Sequence, residues 1–245
     1  MPVAPSESLN KYGVSSIIRE FVLVGFTALL LWVSAGFQLW LTAWIYIIFL
    51  LIFSTVFMAT MVCKNPVLLN LRGAPRKAIR TTPLRRYDKI YFILFVPLFV
   101  LIPIVTGLEF QGLLMTWVII PSPLSLWSIL LGFVLILIGN AIFGWAMVSN
   151  PFFHGMMTIQ EERGHQVISR GPYRWVRHPG YLGQILLYLG TPLLLGSWWA
   201  FLLGFIMSFA FIFRTAKEDQ VLRNELEGYS EYAEQVRKRL LPGIW

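Results

Sequence analysis

Two long stretches without a single charge constrain this chain more than anything else in it. Residues 21–63 carry none, and neither do residues 180–213. At 1.5 Å per residue the first would make roughly 65 Å of helix, about twice a ~30 Å hydrocarbon core. It is therefore expected to fold back as two membrane spans, breaking near Ser34-Ala35-Gly36. The second would make roughly 50 Å, too long for one comfortable span. Gly190, Pro192 and Gly196-Ser197 offer break points near its middle, so it reads as a short helical hairpin. Two further spans are expected at about 90–108 and 126–148, the latter preceded by Pro121-Ser122-Pro123. The fold class that follows is all-α: a polytopic membrane protein with about six transmembrane helices, the last two forming the hairpin. Only 13% of the residues are charged, against about 25% in a soluble domain.

The placement of charge settles what the net +8 means. Lys11 and Arg19 precede the first span, and eight basic residues lie between Lys64 and Lys89. Four more lie between Arg163 and Arg177, and six between Arg214 and Arg239, which accounts for all 20 Lys and Arg. The connections near Gly36 and between Gly107 and Leu124 have none. The positive-inside rule then places both termini and the polar connections on the cytoplasmic face. The basic excess is topological, with some attraction to anionic headgroups, and nucleic acid is not an expected partner. The hairpin agrees with this, because one tilted helix would strand the basic tail on the far side. The tail at 215–240 spaces Val221, Leu222, Leu226, Tyr229, Tyr232, Val236 and Leu240 as an amphipathic helix on the cytoplasmic face, interrupted near Gly228.

Chemistry is expected at the water edge of the second charge-free stretch. Gly171-Pro-Tyr-Arg-Trp-Val-Arg-His-Pro-Gly-Tyr-Leu-Gly183 packs three glycines, two prolines, two arginines and a histidine among aromatics. The hairpin brings His178 and Tyr181 at its start beside Arg214 and Glu218 at its end. Ionisable groups at membrane depth are costly and mark functional sites. The plainer alternatives are boundary arginines at Arg177 and Arg214 that snorkel to water, and a solvated helix face at Glu218 and Asp219. His154, His165 and His178 lack the spacing and companions of a metal shell, so no metal is expected. There is no Gly-x-Ser-x-Gly elbow and no Gly-x-Gly-x-x-Gly turn after a strand. The lone Cys63, at a span end without a neighbouring base, reads as structural.

Arg177-His-Pro-Gly-Tyr-Leu-Gly183 resembles the Arg-His-Pro-x-Tyr-x-Gly signature of the isoprenylcysteine carboxyl methyltransferase and phospholipid methyltransferase superfamily. Arg214-Thr-Ala-Lys-Glu-Asp-Gln-Val-Leu222 is similar to its Arg-x-x-x-Glu-Glu-x-x-Leu, with Asp219 in place of the second Glu. Tyr229, Tyr232, Val236 and Leu241-Pro-Gly resemble its ending. The likeness covers about residues 140–245. It implies an integral membrane enzyme that transfers a methyl group from S-adenosylmethionine to a lipophilic small molecule or membrane-presented acceptor. Carried over by motif, the cofactor pocket would use Gln160, His165, Gln166, Val167, Ile168, Tyr173, His178, Pro179, Gly180, Tyr181 and Glu218, and Arg214 would face the acceptor. The stretch between Gln160 and His165 is shorter than in eukaryotic members. The resemblance divides the chain into residues 1–124, membrane spans on the acceptor side, and 125–245, the methyltransferase core. Isoprenylcysteine, a phospholipid headgroup and a small thiol all remain open as acceptors, as does the oligomeric state. Membrane sterol reductases, which use NADPH and carry a related Arg-His-x-Asn-Tyr motif, are the alternative enzyme class. A non-enzymatic membrane scaffold is the third reading.

Overall fold

The computed structural model describes residues 8–74, 86–113, 123–156 and 158–241. Pro121-Ser122, the basic residues Arg76, Lys77, Arg80 and Arg85, and the Pro242-Gly243 pair lie outside the described residues. The described residues form helices α1 (Lys11–Ser34), α2 (Leu41–Lys64), α3 (Pro66–Gly73), α4 (Arg86–Phe110), α5 (Pro123–Ser149), α6 (Pro179–Leu195), α7 (Trp198–Glu225) and α8 (Tyr229–Gln235), with no strand among them. Five helices, α1, α2, α4, α5 and α7, are long and apolar enough to cross a membrane. Exposed Ile18, Val22, Ile52, Val56, Leu131 and Phe209 cover their outer faces, as a lipid solvent allows.

The first charge-free stretch breaks where expected, with α1 ending at Ser34 and α2 starting at Leu41. The second folds as the expected hairpin of α6 and α7. Its turn is Gly196, whose φ of 72° lies in the left-handed region, followed by Ser197. The Ser197 hydroxyl accepts from the Ala200 N–H at 3.1 Å and donates to Glu109 from the end of α4 at 2.5 Å. Glu109 also accepts from the backbone N–H groups of Trp198 and Trp199, so one carboxylate closes the start of α7. The count of six spans meets a shorter helix than anticipated. At 17 residues α6 rises only about 25 Å, so five long helices are joined by one short one.

The shape of the tail differs from the expectation. There is no separate amphipathic helix over 215–240, because residues 215–225 continue α7 without a break. Gly228, at φ 77°, starts the seven-residue α8. Its apolar residues face inward rather than toward lipid. Leu226, Tyr229, Tyr232 and Ala233 are buried together against Ile159, Val167, Leu222 and Val236.

Glycines set the central contact. A Cβ on Gly139 would lie 2.7 Å from the Gly183 carbonyl oxygen, and one on Gly183 would lie 2.6 Å from the Gly139 oxygen. Seven residues along, Gly132 and Gly190 repeat the arrangement at 2.6 and 2.8 Å. Between helices in lipid, where no hydrophobic force draws them together, such backbone approach is the main source of contact. This seam fixes α6, and hence the start of the hairpin, against α5.

Candidate functional site

The hairpin geometry explains why the site forms. Pro179 opens the 17-residue α6, and Arg214 is the seventeenth residue of α7. The two are therefore level across the hairpin, and Glu218 and Asp219 stand one turn further out, beside the connection that ends at His178. Gly171 shapes that connection. Its φ is 60°, and a Cβ there would come 2.4 Å from the Ser149 hydroxyl oxygen. Pro179 takes the first turn of α6, where its missing N–H costs nothing.

Two charged clusters result. In the first, Asp219 is fully buried and accepts from Arg177 Nε at 2.6 Å and Arg177 Nη2 at 2.9 Å. The Tyr229 hydroxyl donates to it at 3.0 Å, Arg239 Nε at 3.0 Å and Arg223 Nε at 3.3 Å, and His178 Nε2 lies 3.4 Å away. Burial works against the Arg177 charge, but the bidentate Asp219 carboxylate outweighs it and holds the guanidinium above its ordinary value. The tail is tied to the same segment by backbone bonds from Arg177 N–H to Lys238 and from His178 N–H to Arg239, each 2.9 Å. The Tyr232 hydroxyl adds a bond to the Tyr173 carbonyl at 2.7 Å. The tail is thus a strap that holds the Gly171–His178 segment in place. The solvated-face alternative fails for Asp219, and the snorkelling alternative fails for Arg177.

In the second cluster Arg214 is 2% exposed. Its Nε donates to the Tyr181 hydroxyl at 2.7 Å, and its Nη2 donates to the Gly155 carbonyl at 2.7 Å and pairs with Asp88 at 3.1 Å. The Tyr91 ring lies under it with its centroid at 4.2 Å. The Tyr181 hydroxyl in turn donates to Glu218 at 2.6 Å. Glu218 keeps 20% of its side chain exposed, and this exposure is to a cavity.

That cavity holds about 550 Å³. Its wall includes Arg214, His165, Gln166, Val167, Ile168, Tyr173, His178, Gly180, Tyr181 and Glu218. It extends between the helices to Tyr46, Phe95, Asn140 and Gln184. Two expected site residues are absent from the wall. Gln160 is used inside its own loop, with Nε2 bonded to the Phe152 carbonyl at 2.8 Å and Oε1 accepting from Arg163. Pro179 is buried in the first turn of α6 and serves its geometry. His165 stacks on Phe152 at 4.4 Å, and its Nδ1 accepts from the Gln160 N–H at 3.2 Å. Burial, with the nearby Arg163 charge, pushes its imidazole down to about 4. His154, also on the wall, is lowered by burial as well. Gln166, Val167 and Ile168 lie in a stretch without helix or strand, and their backbone groups make no hydrogen bond to another described residue. Sequence reasoning missed Asp88, the Gly155 carbonyl and Asn150, whose amide donates to the Tyr173 hydroxyl at 3.2 Å. An acid isolated next to a span, as Asp88 is, was the one available signal.

Residues 127–227 match the family described as phospholipid methyltransferase. The C-terminal part of the chain is thus similar to this methyltransferase family. Over 113 residues the chain is 29% identical to a probable protein-S-isoprenylcysteine O-methyltransferase of Oryza sativa subsp. japonica, covering 44% of this chain and 59% of that protein. Over 137 residues it is 30% identical to a delta(14)-sterol reductase of Mus musculus, covering 51% of this chain and 33% of that one. The chain thus spans less than two thirds of the length of these relatives. A solved structure of a eukaryotic intramembrane Ras methyltransferase, an isoprenylcysteine carboxyl methyltransferase, covers 96% of this chain and is itself 99% covered, at 17% identity and a TM-score of 0.44.

Proposed function

We propose that this protein is an integral membrane methyltransferase that uses S-adenosylmethionine and acts on a lipophilic or membrane-presented acceptor, with a prenylcysteine-type carboxylate the first class to test. The observation that carries the reading is one cavity joining the strapped connection, the end of the hairpin and helices α1, α2 and α4. Its volume of about 550 Å³ falls within the range of small-molecule sites.

The wall suits the cofactor. The backbone at Gln166–Ile168, without partners among the described residues, offers donors and acceptors for a purine edge. Glu218 offers a partly exposed carboxylate for an amino group or ribose, and Tyr173 and Tyr181 offer aromatic faces for a cation. When bound, S-adenosylmethionine supplies an electrophilic methyl group on a sulfonium. The protein's part is to hold donor and acceptor aligned at about 3–3.5 Å in a dry site. Arg214 performs a positioning role here. Its bonds to Tyr181, Gly155 and Asp88 fix the Tyr181 hydroxyl, which directs Glu218, and they tie Gly155 to the hairpin. A carboxylate or thiolate acceptor requires no general base, and no histidine on the wall is needed as one. Both termini would lie on the cytoplasmic face of the cell membrane or endoplasmic reticulum, as the basic residues suggest.

The likeness to a sterol reductase keeps NADPH as the competing cofactor. Binding to the purified full chain separates the two. S-adenosylhomocysteine is expected to bind at micromolar concentration, with loss in Glu218→Ala and Tyr181→Ala, and NADPH is not. Binding of NADPH alone would establish the reductase reading instead. Transfer of radiolabelled methyl into a total lipid and peptide extract then identifies the acceptor class.

A further inference from the structure

The methyl acceptor proposed above carries an anion at the membrane boundary, and Arg214 is poorly placed to take it, since Tyr181, Gly155 and Asp88 already hold its guanidinium. A second arginine on the same cavity wall has no such partners. Arg72 lies on α3, outside the part of the chain that the family resemblance covers, and lines the cavity with Glu218 and Tyr181. Its guanidinium makes one contact, Nη1 to the Met147 sulfur at 3.9 Å. Among the described residues it has no hydrogen bond to an oxygen and no carboxylate within salt-bridge distance. Glu20 is the acid that acts on it electrostatically, but the Glu20 carboxylate is engaged by the Ser54 hydroxyl at 3.2 Å. A thioether is a weak acceptor, and a partly buried guanidinium with five donors is costly to leave in that state.

The helix that presents Arg72 is firmly anchored. Asn65 caps its start, accepting from the Leu68 N–H at 3.3 Å. Asn70 accepts from the Asn10 N–H at 3.0 Å and donates to the Ser8 carbonyl at 2.9 Å, which ties α3 to the start of α1. Gly73 lies so close to α1 that a Cβ would fall 1.7 Å from the Tyr12 carbonyl oxygen. The Arg72 carbonyl itself accepts from Arg19 Nη1 at 3.2 Å. These contacts fix the backbone and leave the side chain directed at the cavity.

We propose that Arg72 is the anion-binding residue for the methyl acceptor, pairing with a carboxylate or phosphate carried by a lipophilic molecule. The proposal rests on the methyltransferase reading. A planar guanidinium matches either group with two parallel hydrogen bonds, which a lysine cannot reproduce. Burial depresses the Arg72 guanidinium while the Glu20 charge opposes that, and an arriving anion would supply the partner now lacking. Glu20, on the same wall, would repel a second negative charge and so restrict the acceptor to a single anionic group near Arg72.

The test uses the full chain in lipid nanodiscs saturated with S-adenosylhomocysteine. Two pairs of probes are titrated: S-farnesyl-N-acetylcysteine against its carboxamide, and a short-chain phosphatidic acid against the matching diacylglycerol. The wild type is expected to prefer one acid over its neutral partner by about tenfold or more, and the pair that shows the preference distinguishes carboxylate from phosphate. Arg72→Gln should abolish that preference and leave S-adenosylhomocysteine affinity unchanged. A preference that survives in Arg72→Gln, or its absence from the wild type for both pairs, overturns the proposal. So does a tenfold loss of S-adenosylhomocysteine affinity in Arg72→Gln, which would assign Arg72 to the donor. Should Arg72→Gln not fold, Arg72→Lys decides: a preference reduced threefold or more supports the proposal, and an unchanged one overturns it. Failure of the wild type to bind S-adenosylhomocysteine at all refutes the methyltransferase reading and is a separate outcome.

Discussion

Asp219→Asn probes the strap most directly, because it keeps the shape of the side chain and removes only its charge. In the native chain the fully buried Asp219 carboxylate is the bidentate partner of Arg177, which is itself 4% exposed. Removing one member of a buried pair leaves the other uncompensated, at a cost of about 3–5 kcal/mol. The partly exposed Arg223 and Arg239 contribute little, since exposed pairs are worth roughly 0–1 kcal/mol each. For a chain of this length about 1 kcal/mol corresponds to roughly 2–4 °C, so the midpoint should fall by on the order of 10 °C. The assay is thermal unfolding of the detergent-solubilised protein at one fixed scan rate, because membrane proteins of this kind unfold irreversibly. S-adenosylhomocysteine binding is read in parallel. The variant should lose both stability and binding, because the Gly171–His178 segment that carries Tyr173 and His178 is no longer clamped. A midpoint within about 2 °C of wild type, with binding intact, would refute the view that one buried carboxylate organises this segment.

Three further outcomes are expected. Glu218→Gln should leave the thermal midpoint unchanged but weaken S-adenosylhomocysteine binding about tenfold or more, since Glu218 is partly exposed to the cavity and lies outside the strap; equal losses of stability and binding would make Glu218 structural. His165 sits at about 4, below its ordinary value near 6.5. The unfolded chain then binds more protons in that window, so stability is complete above about 6.5 and erodes as pH falls toward 4. His165→Asn keeps an acceptor for the Gln160 N–H and should flatten part of the profile, with His154 supplying the remainder; a wild-type midpoint that is level from pH 7 to 4.5 contradicts this. In a Cys63→Ser background, cysteines at Trp198 and Ser230 should be labelled from opposite sides of the membrane. Labelling from the same side would mean that the hairpin does not cross.

Large-scale architecture could be read from sequence because charge avoidance is a strong physical signal. Residues 21–63 and 180–213 could not lie in water, could not cross once, and had glycine or proline near the breaks that form. Pairing of the hairpin ends followed from the length of the charge-free stretch, the glycines and proline near its middle and the placement of the basic residues, which is why Tyr181, Arg214 and Glu218 are expected together from sequence. The tail resisted the same logic. Its apolar periodicity is real, but periodicity says which residues are buried and not what buries them. Tyr229 and Tyr232 are buried on the connection, not on lipid. Asp219 was obscured for a related reason. On a helix at the water edge an acid usually faces solvent, and only the fold of the tail encloses this one. Gln160 could not be resolved either, since a polar side chain in a loop serves its own backbone as readily as a ligand.

The distribution of partners across the cavity indicates how the two halves of the chain share the task. On the C-terminal side nearly every charged group is paired: Arg177 with Asp219, Arg214 with Asp88, and Tyr181 with both Arg214 and Glu218. Such a wall is preorganised, and a preorganised wall suits one invariant ligand, since reorganisation on binding would cost affinity. On the N-terminal side, among the described residues, Arg72 has only a sulfur as hydrogen-bond partner and Glu20 a single hydroxyl. A wall with unmet hydrogen-bonding capacity gains most from a ligand that completes it, and it discriminates strongly against one that does not. The matched family segment, residues 127–227, falls on the first wall, and Arg72 falls outside it. If the proposed methyltransferase function holds, specificity for the acceptor should be altered by changes at Glu20 and Arg72, while changes at Glu218 or Tyr181 should reduce methyl transfer to every acceptor alike.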